Sequence, residues 1–197
     1  MPLSQLKRPR PGDSLQKIID DYDIERFFCW GQLLELETIL DFICGKAGNP
    51  VKIYEDGRKR YARCRHQARL KNSAIEEAEK KLQKIKGELE ECNDFEELHH
   101  KVKKISVKGF GNLATYDFCL RFGWKKGIYP QKFVYLHAGT KEGAKELKRL
   151  LPELNSKEYE DRLPIGLLPK NIQDLGAIHI ENLMCIFKSR LANLQKI

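Results

Sequence analysis

Apolar residues recur three and four positions apart in one stretch of this chain after another, and that spacing confines it to a fold built mostly of α-helices. Leu15, Ile18, Ile19 and Tyr22 form one stripe behind Asp13 or Ser14 as N-cap, predicting a helix over 15–28. Leu33, Leu34, Leu36, Ile39, Leu40 and Ile43 form a second, over 33–44, which ends at Gly45. Phe95, Leu98, Val102 and Ile105 form a third behind Asn93 or Asp94, and Leu113, Tyr116, Cys119 and Leu120 form a fourth that stops at Gly123. The last, over 171–194, carries Ile172, Leu175, Ile178, Leu183, Ile186, Phe187 and Leu191. Ser73 to Glu91 instead alternates opposite charges about one turn apart, the pattern of a solvent-facing helix, with Gly87 placed to end or bend it. Thr140 reads as the N-cap of a helix to Leu150, and Pro152 to Pro169 as a loop-rich connection. One interruption, Gly48-Asn49-Pro50 followed by Val51-Lys52-Ile53-Tyr54 and Glu55-Asp56-Gly57, predicts a short β-hairpin. The expected fold is therefore mostly α, a compact helical fold with one short β-hairpin. Residues 1–12, rich in proline and basic side chains, read as a flexible arm. Residues 13–197 form either one domain or two lobes, 13–92 and 93–197, with a cleft between them.

Charge narrows the partners. The chain carries 36 Lys and Arg against 28 Asp and Glu, a formal net charge of +8, which favours an acidic polymer or surface. No apolar run is long enough to span a bilayer, and the first dozen residues lack the apolar stretch of a secretory signal, so the expectation is an intracellular protein, cytoplasmic or nucleoid-associated, monomeric and not membrane-bound. The six cysteines, Cys29, Cys44, Cys64, Cys92, Cys119 and Cys185, are scattered without a Cys-x-x-Cys pair and read as reduced packing thiols, with no metal or other cofactor expected.

The chemistry concentrates in Val107-Lys108-Gly109-Phe110-Gly111-Asn112-Leu113-Ala114-Thr115. Two glycines permit a tight turn with backbone N–H groups aimed outward, and the helix that follows brings its positive N-terminal end to the same place. Lys101, Lys103, Lys104 and Lys108 lead into it. An anion fits there, and a nucleic-acid backbone is the anion that suits a lysine-flanked turn. A second basic patch, Arg58, Lys59, Arg60, Arg63, Arg65, Arg69 and Lys71, contains no carboxylate between its ends and points to phosphate contacts as well.

Ile105 to Phe122 resembles a helix-hairpin-helix element, whose consensus is a hydrophobic residue, then Gly-hydrophobic-Gly, then a helix starting near Thr-Ala. Here Val107, Gly109-Phe110-Gly111 and Ala114-Thr115 supply it, with the small pair inverted. In the DNA glycosylase superfamily that uses this element, a loop with a Val-Asp-x-His type segment follows, and Val134-Tyr135-Leu136-His137 is similar to it. The resemblance implies DNA as partner, with Lys104, Lys108, Gly109, Gly111 and Asn112 together with Arg58, Arg60, Arg63 and Arg65 on its backbone. It also implies a base pocket near Tyr116 and Tyr135, with Trp124 and Tyr129 as further rings able to stack on an extruded base. The superfamily's catalytic aspartate falls on Tyr135 and its lyase lysine on Leu113, so a Schiff-base lyase is not expected. The expected activity is a monofunctional glycosylase that hydrolyses the N-glycosidic bond of a flipped, damaged or modified base, with restriction of foreign DNA such as phage genomes as a role. His137, Asp117 and Asp161 are the expected catalytic groups, with Glu142, Glu160 and Glu181 as further carboxylates to consider. The plainer readings are a buried His137, an Asp117 that pairs with Arg121 four residues on, and aromatics that belong to the core. The alternative function is a non-catalytic protein that grips the backbone without reading sequence.

Overall fold

The computed structural model describes residues 7–22, 36–45, 50–53, 59–61, 67–154 and 161–194. In chain order the elements are α1 (Leu15–Asp20), α2 (Ile39–Cys44), β1 (Pro50–Ile53), β2 (Lys59–Tyr61), α3 (Asn72–Lys84), α4 (Lys86–Glu90), α5 (Phe95–Lys104), α6 (Asn112–Lys125), β3 (Phe133–Tyr135), α7 (Ala138–Leu150), β4 (Arg162–Pro164), α8 (Lys170–Gln173) and α9 (Ala177–Ala192). The fold is mostly helical. It divides into a middle unit, Cys29–Tyr129, and a terminal unit made of Met1–Phe28 and Pro130–Ile197. Residues 93–129 thus group with the segment before them, because α5 packs on α6 and α6 on α2, which in turn packs on α3.

In the middle unit α6 is the central rod. Every residue from Ala114 to Gly123 is buried, so the helix is enclosed all round rather than along one stripe. Tyr116 meets Phe95 of α5 edge to face at 5.9 Å, and Phe42 of α2 meets Phe122 at 5.3 Å. α2 starts later than its apolar pattern suggests: Thr38 accepts from the Asp41 amide while Asp41 accepts from the Thr38 amide, a reciprocal cap that fixes the first turn there. Leu36 is buried but not helical. The charged stretch breaks at Ile85, not Gly87, giving α3 and α4, and Asp94 caps α5 by accepting from the Glu97 amide at 2.7 Å. The expected β-hairpin is present as antiparallel β1 and β2, paired Pro50 to Tyr61 and Ile53 to Lys59.

The terminal unit contains a second two-stranded sheet, one strand of which falls in the Pro152 to Pro169 stretch expected to be a loop-rich connection. β3 and β4 pair antiparallel, Phe133 to Pro164 and Tyr135 to Arg162, and the pairing continues as the Leu136 amide donates to the Asp161 carbonyl. Three-residue strands with 26 residues between them leave too little periodicity to detect. α7 lies on α9. At Gly143 a side-chain carbon would collide with the Met184 carbonyl, and at Gly139 with the Cys185 sulfur, so the two glycines set how closely the helices approach. The long terminal helix expected over 171–194 is two, α8 and α9, separated at Gly176 with φ of +77°. Ser14 caps α1, accepting from the Lys17 amide.

Arg190, fully buried, donates to both Asp13 carboxylate oxygens at 2.9 and 2.6 Å and pairs with Asp21 at 2.7 Å. Burial pushes the Asp13 carboxyl up, but hydrogen bonds from Arg190 and the Arg10 amide outweigh it and hold the group below the usual range. Arg10 reaches Asp21 as well, at 3.3 Å, so where the structure describes the expected flexible arm, over residues 7–12, it is tied down at Arg10. Residues 1–6 lie outside the described residues. Cys44, Cys92 and Cys119 are buried, and burial raises the thiols of Cys92, Cys119 and Cys185, as suits packing groups. Among the described residues no helix is long and apolar enough to cross a membrane.

Candidate nucleic-acid interface

The connection between α5 and α6 is built around two residues with positive φ, Ser106 at 45° and Gly109 at 90°. The Phe110 amide donates to the Val107 carbonyl at 3.0 Å, which makes Val107 to Phe110 a β-turn, and the positive φ at its third position requires glycine. Val107 and Phe110 are buried and anchor the turn, while Lys108 and Gly109 face solvent. Behind it, Lys81 of α3 donates to the Ile105 and Ser106 carbonyls at 3.1 and 3.0 Å, holding the strained Ser106 in place. Lys101 is likewise turned inward, paired with Glu97 and bonded to the Glu88 carbonyl. What faces outward is Lys104 at the end of α5, Lys108, and the start of α6, and among the described residues neither lysine has an ion pair.

α6 begins at Gly111 with no side-chain cap, so the amides of its first turn lack the usual partner. Gly111 has φ of −83°, open to any residue, and nothing within 4 Å of where a Cβ would sit. Neither backbone nor packing requires glycine there. Its smallness leaves a clear approach to the Asn112 to Ala114 amides, beside two lysines and the positive end of a 14-residue helix. Asn112, exposed, stands at the same edge. The other expected backbone contacts are not on view: Arg58, Arg63 and Arg65 lie outside the described residues, and Arg60 is described only as backbone in β2.

The expected chemical groups fall into separate places. Asp117 is buried in the middle unit, accepting from Gln67 and from Arg121 at 3.4 Å, and Arg121 in turn donates to the Phe42 and Ile43 carbonyls at 2.8 and 3.2 Å. That network closes the C-terminal end of α2 and keeps the carboxylate engaged, which does not fit a general base. Tyr116 and Tyr135 are buried among core residues, 2% and 6% exposed, and offer no open ring to a flipped base. In the terminal unit, His137 is the N-cap residue of α7. Thr140, expected at that cap, lies inside the first turn, and its hydroxyl donates to the Glu181 carboxylate at 2.6 Å. His137 Nδ1 stands 3.3 Å from the same hydroxyl and 3.6 Å from Glu181, and all three side chains are buried. Asp161 is brought to this end of the sheet by the Leu136 amide, but its carboxylate is exposed and faces Lys141 at 3.5 Å. Glu181 is thus the carboxylate beside His137, and its place on α9 at the foot of a tight α7 contact gave no distinguishing signal in the sequence. Among the described residues no group of His, Cys, Asp and Glu is arranged to hold a metal ion.

No protein-family model, no curated protein and no solved structure matches the chain.

Proposed function

We propose that the chain binds DNA through the phosphate backbone, using the α5–α6 connection and without reading sequence. The observation that supports this most is Gly111. It opens an uncapped helix N-terminus to solvent at the end of the connection that carries exposed Lys104 and Lys108, at a position where the fold itself has no need of glycine. Gly111→Asp tests the reading because it separates folding from binding. Aspartate is a good N-cap, so the variant keeps its stability or gains a few tenths of a kcal/mol in a denaturant titration. Its carboxylate occupies the same amides and repels phosphate, so affinity for a short duplex falls at least about tenfold, a difference of roughly 1.4 kcal/mol. Unchanged affinity in a folded variant would remove the α6 N-terminus from the interface.

A second reading, hydrolysis of an N-glycosidic bond, is favoured by the Glu181 carboxylate beside His137. In that reaction water adds to the anomeric carbon of the sugar and the base departs with a proton, and a carboxylate and imidazole are groups that handle such protons. Incubation with DNA carrying a panel of modified bases, followed by alkali, gives strand breaks under this reading, lost in Glu181→Gln. DNA binding without breaks on any substrate leaves the non-catalytic reading alone.

A further inference from the structure

We propose that the Trp124–Tyr129 ring pair at the C-terminal end of α6 is a stacking platform for an unpaired nucleic-acid base, an inference that rests on the DNA-binding reading above. Of the tyrosines whose burial is described, Tyr22, Tyr61, Tyr116 and Tyr135 are buried, whereas Tyr129 is 41% exposed. A single exposed tyrosine is ordinary. This one is held by a built turn. The Ile128 amide donates to the Gly123 carbonyl at 2.8 Å and the Gly127 amide to the Trp124 carbonyl at 3.0 Å, with Gly127 at φ of +70°, the paired bonds of a Schellman ending. Gly123 has no room for a side chain against the Ile128 carbonyl, and Lys126 fastens the turn to the Glu90 and Cys92 carbonyls. The chain is thereby folded back so that the Tyr129 ring lies 5.9 Å from that of half-buried Trp124, tilted by 43°.

The surroundings select the occupant. Lys125 is exposed on the same turn, so the platform offers a cation beside flat aromatic surface, and a nucleotide matches both with its phosphate and its base. α6 has 14 residues, which puts the platform about 20 Å along the helix axis from Gly111. At the roughly 3.4 Å axial rise of stacked nucleotides in one strand of a duplex, about six steps cover that distance.

The test compares two polymers of equal charge on the full chain: a twelve-nucleotide thymidine strand and the same backbone with abasic residues. The intact protein binds the base-bearing strand roughly 5- to 100-fold more tightly, the range that base–aromatic stacking supplies. Tyr129→Ala brings that ratio close to one, and Tyr129→Phe keeps it. Lys104→Ala/Lys108→Ala weakens both polymers while leaving the ratio as it was. A ratio of one in the intact protein, or a ratio untouched by Tyr129→Ala, overturns the platform and leaves backbone binding standing; the ring pair then serves a protein contact or none. Failure of the intact protein to bind either polymer or duplex DNA overturns both readings.

Discussion

At the scale of single residues, the same type of side chain serves opposite ends according to what surrounds it. Asp117 and Arg121 stand four apart on α6, and that spacing made their pairing legible in the sequence. Their burial was not legible, since it depends on the Phe42 and Ile43 carbonyls, 79 and 78 positions away. The difference decides the role: an exposed pair of this kind contributes little, whereas a buried one broken on one side strands a charge. Asp117→Ala is expected to cost about 3–5 kcal/mol in a urea titration, with DNA affinity unchanged under conditions where the variant is still folded. Normal stability combined with lost base removal would return Asp117 to the chemistry. The aromatic residues carry the same lesson. Tyr116 and Tyr135 lie in the stretches that resemble the glycosylase motif, but the core absorbs both, and among the tyrosines whose burial is described the exposed one is Tyr129, outside those stretches.

At the scale of elements, the caps at Ser14 and Asp94 were readable in the sequence, and the Thr38 cap that starts α2 was not. Ser14 and Asp94 do what their positions announce. Thr140 does not: its hydroxyl goes to Glu181 of α9, and His137 is the N-cap residue of α7. Likewise α6 runs two residues past Gly123, since that glycine answers to the approach of the Ile128 carbonyl and the helix stops at the left-handed Gly127. Glycine in a helix is ambiguous for this reason: it marks either an end or a close contact. Gly139 and Gly143 of α7 are contacts. Gly143→Ala forces a methyl group against backbone, the Met184 carbonyl, and is expected to lose on the order of 1–3 kcal/mol or more. Gly139→Ala meets only the Cys185 side chain and is expected to lose less. Thermal melts of the two variants check the order, and equal losses would mean that α7 and α9 do not touch at Gly143 as described.

At the scale of the whole molecule, the composition spoke to the kind of partner and not to the place where it binds. Of the lysines behind the net charge of +8, Lys81, Lys101 and Lys126 are turned onto backbone carbonyls, and Lys141, Lys170 and Lys188 face carboxylates. Only a map of engaged and exposed cations separates the hairpin lysines from these. The helical class and the existence of an α5–turn–α6 arrangement were legible because local spacing dictates them, and the second sheet and the His137–Thr140–Glu181 cluster were not, because each is closed by a distant partner. The central claim, that the protein grips phosphate with the exposed lysines of this connection, is tested most directly by the salt dependence of binding to a duplex of arbitrary sequence between about 50 and 200 mM salt. The logarithm of the binding constant is expected to fall linearly with the logarithm of salt for the intact protein, and Lys104→Ala/Lys108→Ala to make the slope shallower by about 1.8, or about 0.9 per lost contact. An identical slope in the variant, or no binding by the intact protein even at low salt, would contradict that claim.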